Sequence, residues 1–165
     1  MEVLALDGPV FAALADGDLA AARAAAPVPL PPAFADSAWA GLWRMRARQV
    51  AADPGSAAWV TGVLWDPGRR LAVGRAGFHG PPDARGMVEI GYAVLPEHRR
   101  RGYGRAALAA LLDRARREPG VRVVRLSIAP DNAASHAVAR PFGFRVVGEQ
   151  VDEVDGPETV YELDL

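Results

Sequence analysis

The chain has 165 residues, ordinary apolar and charged fractions (50% and 24%) and a formal net charge of −1. It has no cysteine, which excludes a disulfide framework, a thiolate nucleophile and cysteine-ligated zinc. With no net field to attract nucleic acid or a lipid surface, neither is expected as a partner.

The length suits one domain, expected over residues 1–165. Val3 to Leu6 reads as a short first strand, and the alanine-rich run Val10 to Ala25 as a helix stopped by the prolines at 27, 29, 31 and 32. Ala33 to Ala52 carries Phe34, Trp39, Leu42, Trp43, Met45 and Val50 at roughly helical spacing, with Trp39 and Trp43 expected to be a core stripe rather than an acceptor-binding box. Strands Ala58 to Trp65 and Leu71 to Phe78 flank the turn Asp66-Pro67-Gly68. A loop, Gly80-Pro81-Pro82-Asp83, precedes a strand from Met87 to Leu95. Then follow a helix over Gly104 to Arg117, a strand over Val121 to Ile128, a helix over Asn132 to Phe142, and strands over Phe144 to Val151 and Thr159 to Leu163. This order argues an α/β (mixed α+β) fold, one mixed sheet with helices on both faces. No apolar run approaches the roughly 20 residues that cross a bilayer. A start bearing Glu2 and Asp7 does not read as a signal peptide, so the cytoplasm is the expected compartment.

The stretch from Gly91 to Leu112 is the most informative. An apolar strand ends at Pro96, a basic loop carries Arg99-x-x-Gly102-x-Gly104, and an alanine- and leucine-rich helix follows. The first N–H groups of a helix lack intrahelical partners and carry partial positive charge, so this is a way to build an anion site. Glycine lets phosphate approach the backbone, and Arg99, Arg100, Arg101 and Arg105 offer charge-assisted hydrogen bonds. Three phosphate ligands compete for the motif. A Walker loop needs a lysine, and all nineteen basic residues here are arginine. Gly102-Tyr103-Gly104-Arg105-Ala106-Ala107 fits a dinucleotide fingerprint, but its glycines do not directly follow the strand and Val121 to Ile128 offers no acid for the ribose. The third candidate is the diphosphate of an acyl-coenzyme A.

Arg99-x-x-Gly102-x-Gly104 after Glu89-Ile90-Gly91-Tyr92 resembles the acetyl-CoA motif of the GCN5-related N-acetyltransferases (GNAT superfamily). A second stretch, Val123 to Phe144, resembles that family's next strand, an Asn-x-x-Ser helix start and a closing Gly-Phe. The Asn132, Ser135, Gly143-Phe144 pattern is similar to the branch of the ribosomal-protein N-terminal acetyltransferases. The two stretches cover about a third of the chain. The resemblance implies the GNAT fold, a mostly antiparallel sheet in which the strand pair Met87–Leu95 and Val121–Ile128 splays apart to admit pantetheine. It also implies acetyl-CoA as co-substrate, with no metal, held by Arg99, Arg100, Arg101, Gly102, Tyr103, Gly104 and Arg105. Val94 and Leu95 are implied as main-chain contacts to pantetheine, Ala93 as the main-chain donor to an oxyanion, and Asn132 as both helix cap and pantetheine contact.

For base chemistry the candidate is Glu89. Strand alternation places it with Gly91 and Ala93, and Ile90, Tyr92 and Val94 opposite. A carboxylate inside an apolar strand is partly desolvated, the setting of a general base, and an ammonium must lose its proton before it attacks a thioester. The plain alternative is an ion pair with Arg85. Where many relatives carry a tyrosine as proton donor this chain has Ala139, which leaves Ser135 or water for the leaving thiolate. His79, His98 and His136 show no metal-ligand spacing and are expected to be structural, although His98 adjoins the phosphate loop and His79 closes a strand near the acceptor. The expected activity is transfer of an acetyl group to a primary amine, a peptide N-terminus or a small amine, by direct attack in a ternary complex. A non-catalytic acyl-CoA-binding module and a nucleotide-binding domain are the alternatives, and self-association as a homodimer is left open.

Overall fold

The computed structural model describes residues 1–153 and 156–165. Its strands are β1 (Glu2–Leu4), β2 (Gly62–Asp66), β3 (Leu71–Phe78), β4 (Met87–Val94), β5 (Val123–Ile128), β6 (Arg145–Asp152) and β7 (Gly156–Asp164). Its α-helices are α1 (Gly8–Ala15), α2 (Leu19–Ala25), α3 (Ser37–Ala52), α4 (Tyr103–Arg117) and α5 (Ala133–Ala139). The strands form one sheet in the order β1-β2-β3-β4-β5-β7-β6, antiparallel except where β4 meets β5. This is the mixed, mostly antiparallel architecture expected from the order of elements.

Helices cover both faces because each face of the sheet is apolar. On one, α4 and α5 bury Leu108, Leu111, Leu112 and Ala139 against Leu64, Phe78, Ile90, Val124 and Leu126. On the other, α1 and α3 bury Phe11, Leu14, Trp43 and Val50 with Val60, Val63 and Ala72. Trp43 is fully buried, stacks on Phe34, and donates its indole N–H to the Phe34 carbonyl (2.7 Å). The stripe read on the Ala33–Ala52 segment is therefore core at that position.

Several boundaries differ from the sequence reading; the strand expected over Ala58–Trp65, for one, begins only at Gly62, after a 3-10 turn over Pro54–Ala58. The expected helix from Val10 to Ala25 is two helices, because Gly17 turns left-handed (φ 75°) and Asp18 caps a new start through the Ala21 N–H (2.9 Å). The segment before α3 is a short 3-10 turn, Pro32–Ala35, and Asp36 caps α3 through the Ala38 N–H (2.8 Å). Both helix departures come from aspartates that out-compete helix continuation.

The feature that positions a site is the β4–β5 junction. β4 has eight residues and β5 has six, yet they pair at three rungs only: Met87 with Val123, Val88 with Val124, and Glu89 with Arg125. Beyond Glu89, β4 stays paired with β3 and β5 stays paired with β7. The sheet opens between them, which is the expected splay.

α4 carries most of the apolar contact on its face of the sheet, so truncating it should unfold the protein readily. Leu108→Ala is expected to cost about 3 kcal/mol in urea denaturation, against roughly 0.5 kcal/mol or less for Val146→Ala on the exposed strand β6.

Candidate functional site

The basic loop joins the end of β4 to the start of α4. Arg100 and Gly102 are both left-handed (φ 60° and 82°), the backbone setting in which successive N–H groups converge on an anion. Gly102 is the N-cap of α4 and supplies no side-chain cap, so the first-turn N–H groups remain available. Tyr103 is buried in the helix start, donates its hydroxyl to Asp66 (2.9 Å) and accepts from Arg69 (2.6 Å). That pair fixes the helix N-terminus to the β2–β3 turn. The Tyr103 hydrogen bond is also the main reason the Asp66 carboxyl lies below the usual range.

This loop is one wall of a cleft of about 720 Å³. Ala93, Val94, Arg99, Arg100, Gly102, Tyr103, Gly104 and Arg105 line it on one side, and Asn132 and Ser135 face them from α5. Two residues of the sequence reading stand apart. Leu95 is buried, with its N–H bonded to the Val73 carbonyl (2.9 Å), and Arg101 is exposed outside the lining. Arg99 is tied back by its Nε to the Val94 carbonyl (3.1 Å), which holds its guanidinium beside the end of β4. Asn132 caps α5 through the Ser135 N–H (3.1 Å). From Ile90 to Val94, β4 pairs with β3 in one unbroken register, with no bulge to free its N–H groups. The open edge comes instead from the early end of the β4–β5 ladder.

The cleft's polar inventory fits a ligand with a diphosphate and an extended polar arm. Two buried side-chain atoms against it, the Tyr92 hydroxyl oxygen and His98 Nδ1, have no hydrogen-bond partner. A buried polar group in that state is an exception in folded proteins and points to a partner that comes with the ligand.

Glu89 sits at the last paired rung, on the opposite face of β4 from Tyr92. Its side chain is 18% exposed and accepts a hydrogen bond from the Ser127 hydroxyl (2.7 Å). Gln150 donates to Ser127 (3.1 Å) and to Glu158 (2.9 Å), so the carboxylate is oriented by a chain reaching from β5 to the β6–β7 hairpin. Arg85 pairs with Glu162 instead (3.6 Å), as does Arg125 (2.7 Å). The ionisable group recorded beside Glu89 is then His79, with Nδ1 at 3.8 Å from Oε1. Gly91 makes room for that ring: a β-carbon there would lie 2.9 Å from His79 Nε2.

His79 is 53% exposed at its side chain but is crowded from the protein side. Desolvation holds it below its ordinary value, helped by Arg46 and Arg75 and opposed by Glu89 and Asp152. Arg46 is itself buried, reaches Thr61 (3.2 Å) and the His79 carbonyl (2.9 Å), and is lowered to about 10 chiefly by desolvation. His136 has another role. Its Nε2 donates to the Ala129 carbonyl (3.2 Å), which leaves Nδ1 to accept from Tyr161 (2.9 Å) and staples α5 to β7. Sequence reasoning singled out neither Ser127 nor Gln150, which lie 38 and 23 residues from their partners. Tyr92 was read only as facing away from Glu89.

Comparison with known proteins agrees with this geometry. The family model described as an acetyltransferase (GNAT) domain matches residues 5–145. The N-acetyltransferase YjdG of Bacillus subtilis (strain 168), itself uncharacterized, is 38% identical over 72 residues, 44% of this chain and 43% of YjdG. The chain spans about half the length of the curated relatives it matches. Among solved structures, yncA from Salmonella typhimurium with its cofactor acetyl-CoA superposes with a TM-score of 0.59 at 25% identity, covering all of this chain and 94% of that one. The ribosomal-protein-alanine N-acetyltransferase from Brucella melitensis shares the fold over the full length of both chains, with a TM-score of 0.61 at 22% identity. With a family model matched over most of its length, a sheet opened between β4 and β5, and an arginine–glycine loop at that opening, the chain belongs to the GNAT acetyltransferase family.

Proposed function

We propose that this protein transfers an acetyl group from acetyl-CoA to a primary amine, a peptide N-terminus or a small amine, by direct attack with both substrates bound. The observation that carries the reading is the placement of Glu89. It stands at the rung where the sheet opens, on the face opposite the arginine–glycine cleft, so cleft and carboxylate meet through the gap. A module that only binds acyl-CoA has no use for a carboxylate oriented there by Ser127 and Gln150.

Acetyl-CoA supplies the acyl group as an activated thioester. Arg99, Arg100 and Arg105, with the N–H groups of Gly102, Tyr103 and Gly104, hold its diphosphate. The main chain of Val94 and the side chain of Asn132 guide the arm along β4. The unbroken register turns the Ala93 N–H toward β3, as it does that of Leu95, so the N–H groups on the gap side, those of Tyr92 and Val94, are the ones offered to the developing oxyanion. Glu89 takes a proton from the incoming ammonium, directly or through one water, from the far face of the sheet. His79 beside it is held below its ordinary pKa chiefly by desolvation, which favours the uncharged imidazole next to the incoming amine. Ser135 presents a hydroxyl at the leaving-group end. Without cysteine the chain offers no thiol for an acyl-enzyme.

Glu89→Gln is expected to lower kcat about 100- to 1000-fold at neutral pH, while acetyl-CoA affinity stays within about twofold. Thiol release over a panel of peptides and small amines is the assay, and no protein thiol contributes background. Undiminished turnover in the variant would remove Glu89 from the mechanism. Absence of turnover by the parent protein on every amine would favour the binding module.

The His79 imidazole should titrate below 6.5 in the folded protein, followed by nitrogen-15 NMR. The sign follows from linkage: a depressed folded value means the associated stability is fully present above 6.5 and is lost as pH falls through the lower folded midpoint. A midpoint at or above 6.5 would contradict the assignment of a neutral imidazole beside Glu89.

A further inference from the structure

Three tyrosines occur in the chain, and their hydroxyl groups differ. Tyr103 is bonded to Asp66 and Arg69, and Tyr161 to His136. The Tyr92 hydroxyl is buried and makes no hydrogen bond. Buried tyrosine hydroxyls ordinarily find partners. This one lies against the cleft, on the α4–α5 side of the sheet, where its neighbours are the first turn of α4 and one face of α5. A β-carbon built on Gly104 would sit 3.5 Å from both Tyr92 Cε2 and Val138 Cγ2, so the ring is wedged at a fixed place between strand and helices. Ser135 is its polar neighbour, near enough for its hydroxyl to act on the phenol as a weak hydrogen-bond partner, although the pair falls outside good bonding geometry.

We propose that the Tyr92 hydroxyl donates a hydrogen bond to the sulfur of the departing coenzyme and holds it as a thiolate, without handing over its proton. The inference rests on the acyl-CoA reading above and adds a catalytic residue to it. Tyr92 lies along β4 between the arginine–glycine loop and the last paired rung at Glu89, on the way from the diphosphate wall to the opening. It is also the side chain that the splay leaves unsatisfied, and position 139, on the neighbouring helix, is alanine.

Relative acidities separate hydrogen bonding from proton transfer. Burial pushes the Tyr92 phenol above its usual 10, partly opposed by Ser135. A thiol loses its proton near 8.5, so moving the phenol's proton onto a thiolate is uphill, while an O–H···S⁻ hydrogen bond is favourable. The balance is then simple. The carbon–sulfur bond breaks with its electron pair on sulfur, the amine's proton leaves through Glu89, and the Tyr92 O–H bond stays intact. The thiolate takes a proton from solvent on release.

The test uses the intact protein and free CoA. Because the chain has no cysteine, thiolate absorbance reports the CoA thiol alone. Between about pH 6 and 9, below the range where tyrosines ionise, the bound thiol is expected to titrate about one pH unit below free CoA. In Tyr92→Phe the thiol should return to the free value, with acetyl-CoA affinity held within about twofold and kcat about tenfold lower. An identical bound-thiol titration in parent and variant would overturn the assignment. A second measurement needs no variant: the parent's affinity for CoA relative to desulfo-CoA should rise with pH across the same range. A flat ratio overturns the Tyr92 role while leaving the acyl-CoA reading intact. Failure of both compounds to bind would overturn that reading and this one with it.

Discussion

Between β4 and β5 the sheet is held together by three parallel rungs, and past Glu89 each strand keeps only its outer neighbour. Backbone groups at such an opening need partners, and a sheet buried on one face by α4 and α5 has little water to give them. The opening therefore has to be flanked by something that supplies polar contacts. Here that is the cleft lined by Ala93, Val94, Asn132 and Ser135 and closed at one end by the arginine loop. The rest of the site depends on where the ladder stops. One rung more would tie down Ile90, and one fewer would release Glu89 itself.

The two faces at the opening differ in charge, which separates the jobs. On the α4 side, Arg99, Arg100 and Arg105 gather around the start of a helix that no side chain caps. On the other, Glu89 is oriented by Ser127 and Gln150 beside His79, whose imidazole is held below its ordinary pKa first by desolvation and then by Arg46 and Arg75. A negatively charged ligand on the first face and a cationic amine on the second would each meet an oppositely charged partner. In the proposed reaction the two would meet in the gap that both can reach. Tyr103 ties the two halves mechanically, because its hydrogen bonds to Asp66 and Arg69 fix the helix start to the β2–β3 turn.

Local patterns in the chain carried much of this. Leu71–Phe78 and the strand beginning at Met87 were legible from alternation, and the loop from the chemistry of arginine and glycine before a helix. The helix over Val10–Ala25 was misread because an alanine-rich run hides a break whose only marks are Asp16, Gly17 and Asp18. Glu89 could be put on a face by counting residues, but its hydrogen bond to Ser127 joins strands 38 residues apart and follows from register, which periodicity does not reveal. The splay came from family resemblance alone, since nothing in the side-chain pattern of β4 or β5 marks where pairing ends. Tyr92 illustrates the limit most plainly. Its side of the strand was legible, whereas the lack of a partner for its hydroxyl depends on α4 and α5 closing over it.

The central claim is that the loop at the start of α4 holds the diphosphate of acetyl-CoA. Calorimetric titration of the purified protein with acetyl-CoA, alongside Gly104→Glu, tests it most directly. The glutamate puts a negative charge and a long side chain where phosphate would approach the helix N-terminus. Roughly micromolar binding by the parent protein, lost in the folded variant, is the predicted result. No heat of binding from the folded parent, or equal binding by both proteins, would contradict the account.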